Sequence, residues 1–587
     1  MMRDKNFKKW DLDIFFENLR PYKKSVILAP LFMILEVVMD LLQPKLLARV
    51  VDEGIVKGNL GLIVHTGILM LGIAIIGLIG GIGCTIFSSI ASQNFGYDLR
   101  KALFKKIQNG RFKDISAFSP SSLITRLTND VSQAQQLVLF SLRMLVRAPF
   151  LCIGGIAMAF FINLKLSSII FVVIPLLLFI FYFITKKSFS LFSTMQKKID
   201  RINLMVRENL AGIRVIRIFN RSKYEKTRFE NANEELVDAS LNAINLIVKI
   251  GPLVMIVVNL SIVTILWFGG KMVVNNEMKV GEIMAFINYL IIILMSLMMI
   301  SNLAIFISRA GASIKRISEV LNIEELDKKE ASYKKLFFIK GKIELKDVSF
   351  SYKNNQDAPF LKDISFSIEA GETAGIIGTT GAGKTTILSL IANLYQPLSG
   401  NILIDGCDIR EIDPYILRDN IGFVTQETML FSGTIREIMK WVDEKVSDTE
   451  IEESLRAAEI YEFISKLPDG LETFIGQKGV NLSGGQKQRL TIARAIVKKP
   501  KILILDDCTS SVDFITEKRI LKNLKTILRD CTKVIVTPRI FTVMEADKII
   551  VLDKGRITGI GRHSELLKGC EVYREIFESQ TGEGIDV

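Results

Sequence analysis

Residues 374–390 read AGIIGTTGAGKTTILSL. A short apolar run, Ala374–Ile377, predicts a strand. Gly378-Thr379-Thr380-Gly381-Ala382-Gly383-Lys384-Thr385 follows it directly, and Thr386–Leu390 continues with helical character. G-x-x-x-x-G-K-[ST] between a strand and a helix is a phosphate cradle. Its glycines let the backbone wrap a polyphosphate closely. Amide N–H groups and the positive helix end meet the anion, Lys384 neutralises the outer phosphates, and Thr385 offers a hydroxyl to Mg²⁺. Downstream, the apolar strand Ile502–Leu505 ends in Asp506, a carboxylate suited to the same metal.

Around this loop, short β-rich strings (IELKDVSFSY, AGIIG, ILILDD, KVIVT) alternate with helical stretches. That alternation predicts an α/β domain over 341–587 built on a mainly parallel sheet. The charged run 322–340, NIEELDKKEASYKKLFFIK, reads as a linker.

The first half has a different character. Ser25–Leu42, Gly61–Gly96, Ala148–Leu164, Leu166–Thr185, Ile250–Gly270 and Ile283–Ser308 are apolar runs. With their flanks they are long enough for about 20-residue membrane helices. We therefore expect a polytopic six-span domain over 25–321. Arg20, Lys23 and Lys24 precede the first run, and the long segments 100–126 and 186–249 are basic, whereas the other connections are short. The positive-inside rule puts the N-terminus, both long segments and the C-terminal half in the cytoplasm, with the chain in the cytoplasmic membrane. Helical periodicity within the long segments (Leu204, Ile213, Val215, Ile216, Phe219) predicts spans that extend well into the cytoplasm. In residues 1–24, Trp10, Ile14, Phe15 and Leu19 recur at helical spacing against Lys8, Lys9, Asp13 and Glu17. This pattern suits a helix lying in the membrane interface and not a cleavable signal.

Composition agrees. The 587 residues are 49% hydrophobic and only 23% charged, and the mean hydropathy is +0.33. Disordered, collagen-like and disulfide-scaffold classes are excluded. The net charge of +13 is accounted for by cytoplasmic loops, so no nucleic-acid partner is expected. The six cysteines share no metal-ligand spacing and read as free thiols. With only His65 and His563, histidine-based catalysis has little to work with.

Asn481-Leu482-Ser483-Gly484-Gly485-Gln486 contains LSGGQ, and here the chain resembles the ATP-binding-cassette (ABC) ATPases. The resemblance covers nearly the whole chain. Tyr352 matches the aromatic that stacks on adenine, Gln426 the glutamine loop that also reaches Mg²⁺, and Thr509–Asp513 (TSSVD) the D-loop, with Ser510 and Asp513 as its polar members. Glu208–Ile216 (ENLAGIRVI) and Trp267-Phe-Gly-Gly match membrane-domain segments of six-span exporters. A membrane domain followed by a nucleotide domain resembles an exporter half-transporter. The resemblance implies ATP and Mg²⁺ as cofactors, and a dimer in which each ATP lies between one chain's phosphate loop and the other's LSGGQ.

Three positions depart from the family pattern. Asp507 stands where a catalytic Glu is usual, so the base is one methylene short, about 1.5 Å. Pro538, in Thr537-Pro538-Arg539, stands where a switch His contacts the γ-phosphate, and proline has no donor. Gln477 replaces the usual Glu ahead of the signature. This arrangement resembles the degenerate-site subunit of bacterial heterodimeric multidrug exporters, in which a weak site accompanies an LSGGQ that completes the partner's site. Two different chains are expected over two copies of one.

Within the first span, Glu36 and Asp40 lie four residues apart on one helix face. They suit either a structural ion network with Arg143 and Arg147 or a substrate path for cationic amphiphiles. Gly72, Gly77, Gly80, Gly81 and Gly83 read as close helix-packing positions, and His563 as part of a surface string near the C-terminus. The expected cargo is hydrophobic or drug-like, in contact with membrane lipid. A lipid flippase, a peptide exporter or an ATP-gated regulatory or channel subunit are the other readings, and the absence of a peptidase domain before Trp10 counts against processing peptide exporters.

Overall fold

The computed structural model describes residues 18–324, 339–352 and 359–582. Most of the expected interfacial helix at 1–24, with Trp10, Ile14 and Phe15, and most of the linker 322–340 therefore lie outside the described residues. The chain divides into two compact units, Met1–Gln108 with Phe118–Ile323 and Asn109–Ala117 with Glu324–Val587.

The first unit is helical: α1 (Lys23–Arg49), α2 (Leu60–Asn109), α3 (Val131–Ile162), α4 (Leu164–Ala211), α5 (Ser222–Val248), α6 (Ile250–Val274) and α7 (Val280–Leu321). Among the described residues six stretches are long and apolar enough to cross a membrane, with α5 and α6 forming one of them. At 1.5 Å per residue the 50-residue α2 is about 75 Å long, more than twice a hydrocarbon core of about 30 Å. The cytoplasmic extensions are thus continuous helix. Asn163 turns α3 into α4 and caps the latter by accepting from the Leu166 N–H at 3.1 Å. At Gly212 α4 gives way to a separate helical turn, Ile213–Ile218.

The surface of this unit is inverted relative to a soluble protein. Ile68, Leu71, Phe171, Phe179 and Trp267 are exposed, while Ser88, Ala91 and Ser92 are buried. Small residues let membrane helices approach one another. A Cβ at Gly80 would lie 2.9 Å from the Phe32 carbonyl oxygen, so α2 meets α1 there only because the residue is glycine. At the other end of α3, Arg316 donates to the fully buried Asp130 (Nε–Oδ2 2.8 Å), and Arg126 pairs with Glu319 at 2.8 Å.

Among the described residues the second unit contains two larger sheets and a two-stranded one, Gly433–Thr434 against Phe474–Ile475. β1 (Ile343–Phe350), β2 (Leu361–Ile368), β4 (Ser399–Ile404) and β5 (Cys407–Asp408) form an antiparallel sheet in the order β2-β1-β4-β5. The other larger sheet has the order β10-β9-β3-β8-β7-β6, from β3 (Thr373–Gly378), β6 (Ile421–Val424), β7 (Ile502–Asp506), β8 (Thr532–Val536), β9 (Lys548–Asp553) and β10 (Arg556–Gly561). It is parallel except for β10. The expectation of a mainly parallel sheet therefore holds for the central sheet and misses the antiparallel one. Both faces of the central sheet are buried. Ile504, Val534 and Ile550 enter one apolar core, and Leu503, Leu505, Ile535 and Val551 the other, following the period of two.

The tip 109–117, assigned by sequence to the membrane domain, groups with this second unit. Phe112 meets Tyr395 edge-on at 5.5 Å, and Arg111 pairs with Glu324 at 2.9 Å.

The Asp130–Arg316 pair is asymmetric, since Asp130 is sealed and Arg316 reaches solvent. Arg316→Met, which strands a buried carboxylate, should cost about 3 kcal/mol. Asp130→Asn, which leaves a guanidinium able to hydrate, should cost clearly less. Thermal denaturation of the detergent-solubilised protein checks this; equal losses would contradict the asymmetry.

Candidate active site

The phosphate loop lies between β3 and α8 (Lys384–Ile391). Gly383 precedes the helix with φ +103°, in the left-handed region, and a Cβ there would lie 2.4 Å from Leu361 Cδ2. Sterics thus require the glycine. Among the described residues the N–H groups of Gly383, Lys384 and Thr385 have no hydrogen-bond partner. They are the donors left over at a helix start. Lys384 donates only to the carbonyls of Gly378 (2.8 Å) and Thr379 (2.9 Å). Thr379 itself donates to Asp553 at 3.0 Å. Gly378, Thr380, Gly381 and Ala382 complete the loop.

At the edge of this cradle Thr385 donates to Asp506 at 3.2 Å, and Gln426 makes a long 3.4 Å contact with Asp507. The hydroxyl, amide and two carboxylates gathered there are hard oxygen ligands of the kind Mg²⁺ takes beside phosphates. Unpaired amides, an ammonium and this oxygen set fit a nucleoside triphosphate with its metal. Burial pushes the Asp506 and Asp507 carboxyls above their ordinary range, and it lowers the Lys384 ammonium. Asp507 has φ +43°, a strained conformation for a residue with a Cβ. The Tyr352 hydroxyl lies 2.9 Å from that of Thr386, and its ring meets Tyr395 edge-on at 5.5 Å.

The signature begins helix α9 (Gly484–Val497). Ser483 is its N-cap: its hydroxyl accepts from the Gln486 N–H, and the Gln486 side chain accepts from the Ser483 N–H at 2.8 Å. Leu482 is buried beneath. A Cβ at Gly485 would lie 2.8 Å from the Ser511 carbonyl oxygen, so helix and D-loop touch through backbone. Gln488 holds that contact from both sides, donating to the Ser510 hydroxyl at 3.0 Å and accepting from the Ser511 N–H at 2.9 Å. Asp513 caps α10 (Phe514–Ile527) by accepting from the Thr516 N–H at 2.9 Å.

Sequence reasoning missed three residues. Glu517, 2% exposed, accepts from Thr509 (2.7 Å), Thr542 (2.9 Å) and Arg539 (3.0 Å). Arg539 also donates to the Ser510 carbonyl at 2.8 Å. Gln580, on α11 (Glu571–Thr581), donates to the Pro538 carbonyl at 2.7 Å and accepts from the Ile540 N–H at 2.9 Å. Pro538 is thereby fixed as a backbone acceptor. An acidic residue four positions after a helix cap was the only local signal for Glu517. His563, expected on the surface, is half-buried instead, 2.7 Å from the Tyr573 hydroxyl and against the Phe577 ring.

In the membrane unit Arg147 pairs with both Glu36 and, at 2.9 Å, Asp40. The ion network therefore forms through Arg147, while Arg143 stands outside it. All three line a cavity of about 920 Å³ with Met33, Met39 and Arg143.

Residues 26–297 match the ABC transporter transmembrane region and 361–510 the ABC transporter domain. An ABC transporter ATP-binding protein of Bacillus subtilis (strain 168), YfiB, is 41% identical over 564 residues, covering 96% of this chain and 98% of the relative. The chain belongs to the ABC transporters. A mycobacterial relative, Rv1273c of Mycobacterium tuberculosis, is 36% identical over 96% of this chain and 97% of its own length. A bacterial Atm1-family ABC exporter solved with ATP bound superposes with a TM-score of 0.80 at 24% identity, over 95% of this chain and 99% of that one, and shares the fold. This ABC transporter is a multi-pass membrane protein with its nucleotide-binding domain on the cytoplasmic side.

Because Asp506 and Asp507 are held above the usual carboxylate range, they retain protons to a higher pH than ordinary aspartates, and a metal must displace those protons. Mg²⁺-dependent ATP binding by this transporter should therefore weaken as pH falls through the raised range, before free aspartates titrate. Fluorescent-nucleotide titrations across pH check this; in Asp506→Asn the Mg²⁺ increment should largely vanish at every pH.

Proposed function

We propose that this chain is one half of a heterodimeric ATP-driven exporter of hydrophobic, drug-like molecules. Its own ATP site binds nucleotide but turns it over weakly, and its Leu482–Gln486 segment completes the competent site of a second half-transporter. The observation that carries this reading is the pair Asp507 and Pro538 beside an intact phosphate loop and signature.

A hydrolytic site needs a base for the attacking water and a donor for the γ-phosphate. A positioned base contributes about 10²–10⁴-fold. Asp507 is one methylene short, and Pro538 presents a carbonyl already taken by Gln580. Loss of both groups together, with Ser483 still capping its helix, is better explained by division of labour than by decay. Thr385, Gln426 and Asp506 would hold Mg²⁺, which when bound neutralises charge on the phosphates. Lys384 and the loop amides orient the nucleotide.

Purified alone, the chain should bind ATP and hydrolyse it at least about 10²-fold more slowly than the heterodimer. Robust, vanadate-sensitive turnover by the chain alone would sink the proposal. In the heterodimer Lys384→Ala should weaken nucleotide binding at this site yet leave appreciable ATPase.

Ser483→Arg removes a hydroxyl and adds bulk where the helix start faces a partner's γ-phosphate. It should cost about 10²–10³-fold in heterodimer ATPase, although it touches nothing in this chain's own phosphate loop. The double change Asp507→Glu with Pro538→His should raise turnover at the weak site. Near-normal ATPase in Ser483→Arg would refute the shared-site arrangement.

A further inference from the structure

We propose that the membrane cavity bounded by α1, α2, α3 and α7 binds an amphiphile with an anionic head group, and that Arg143 is the residue that selects it. The inference rests on the exporter reading and names the substrate class of that transporter.

The four charges at the cavity are Glu36, Asp40, Arg143 and Arg147. Arg147 is occupied by both carboxylates. Arg143 lines the same cavity one helical turn away and has no ion-pair or hydrogen-bond partner among the described residues. A guanidinium cannot lose its proton. Arg143 is therefore the one side-chain charge lining this cavity that has no partner among the described residues.

Depth points the same way. Counting from Ile162 at the outer end of α3, Arg147 lies about 22 Å and Arg143 about 28 Å into a core of about 30 Å. Arg143 thus sits near the cytoplasmic edge of the bilayer, where a head group can reach it while the tail runs deeper. The rest of the cavity wall is largely apolar and adaptable, with Met33, Met39, Met144 and Met299, and thioether side chains fit irregular tails. At Gly81, where a Cβ would lie 3.1 Å from Glu36 Oε2, the lack of a side chain leaves room for the Glu36 carboxylate beside the cavity. The anion can belong to a bilayer lipid or to a freely diffusing amphiphilic acid.

The test uses the full-length protein in phosphatidylcholine nanodiscs, with empty nanodiscs as the partition background. Radiolabelled dodecyl phosphate should bind about tenfold more tightly than dodecyltrimethylammonium or dodecanol, as one charge-assisted hydrogen-bonded contact permits. Arg143→Gln should lose that tenfold, Arg143→Lys should keep most of it, and Glu36→Gln should not reproduce the loss. The head-group preference of the wild type decides the matter even if Arg143→Gln does not fold. Exchanging phosphatidylcholine for phosphatidylglycerol separates the sources: competition supports a lipid head group at Arg143, and undiminished binding supports a free acid. Preference for the ammonium compound, or wild-type affinity in Arg143→Gln, overturns the proposal. ATP-dependent movement of neutral or cationic amphiphiles alone would overturn it too, while leaving the exporter reading intact. Dodecyl phosphate binding through Arg143 without ATP-dependent movement of any amphiphile would remove the exporter reading and leave the site.

Discussion

A bilayer offers no partner for a peptide N–H or an ionised side chain, and the membrane unit is organised by that constraint. Its backbone is satisfied within long helices, so connections such as Asn163 are short and capped. Its side chains are inverted, with large apolar groups outward and Ser88, Ser92 and Gly80 inward. Its intramembrane acids are allowed because Arg147 spans from α3 to both of them on α1. The same constraint makes Arg143 conspicuous, since a permanent charge there is stable only in company.

The nucleotide-binding unit presents the opposite case, because there the unsatisfied groups are the functional ones. Three consecutive amides at the start of α8 and a lysine bonded only to carbonyls form a positive concavity whose missing partner is an anion. The fold holds these donors by sterics, with Gly383 in a backbone conformation and a space that exclude a side chain. The signature is built differently. Its capping box, Gln488 and the contact between Gly485 and Ser511 set the start of α9 rigidly against the D-loop.

The buried carboxylate of Glu517 connects that rigid block to the segment after β8. Through Thr509, Thr542 and Arg539 it ties three stretches of chain into one unit, and Arg539 carries the tie to Ser510. Pro538 therefore offers no side-chain donor yet sits in a well-held scaffold. Gln580 clamps the segment on either side of Arg539. Such a separation of scaffold from chemistry is what the weak-site proposal requires, since the signature on the same chain stays well formed.

How legible these features were in the sequence follows from how local their causes are. The phosphate loop, the six spans and the α9 cap depend on neighbours within a few residues, and they read directly. The antiparallel sheet did not, because Ile343 pairs with Ile368 on one side and Ile404 on the other, and strand composition alone does not name a partner. Glu517 was invisible for the same reason, since its donors lie 8, 22 and 25 residues away. Glu36 and Asp40 were an intermediate case. Helical spacing put them on one face, but whether that face met an arginine or a ligand depended on the rotation of α3. Rotation turned Arg147 toward the acids and left Arg143, four residues earlier on the same face, at the cavity with its charge unmet. The spacing of the two arginines thus supports packing through one and recognition through the other.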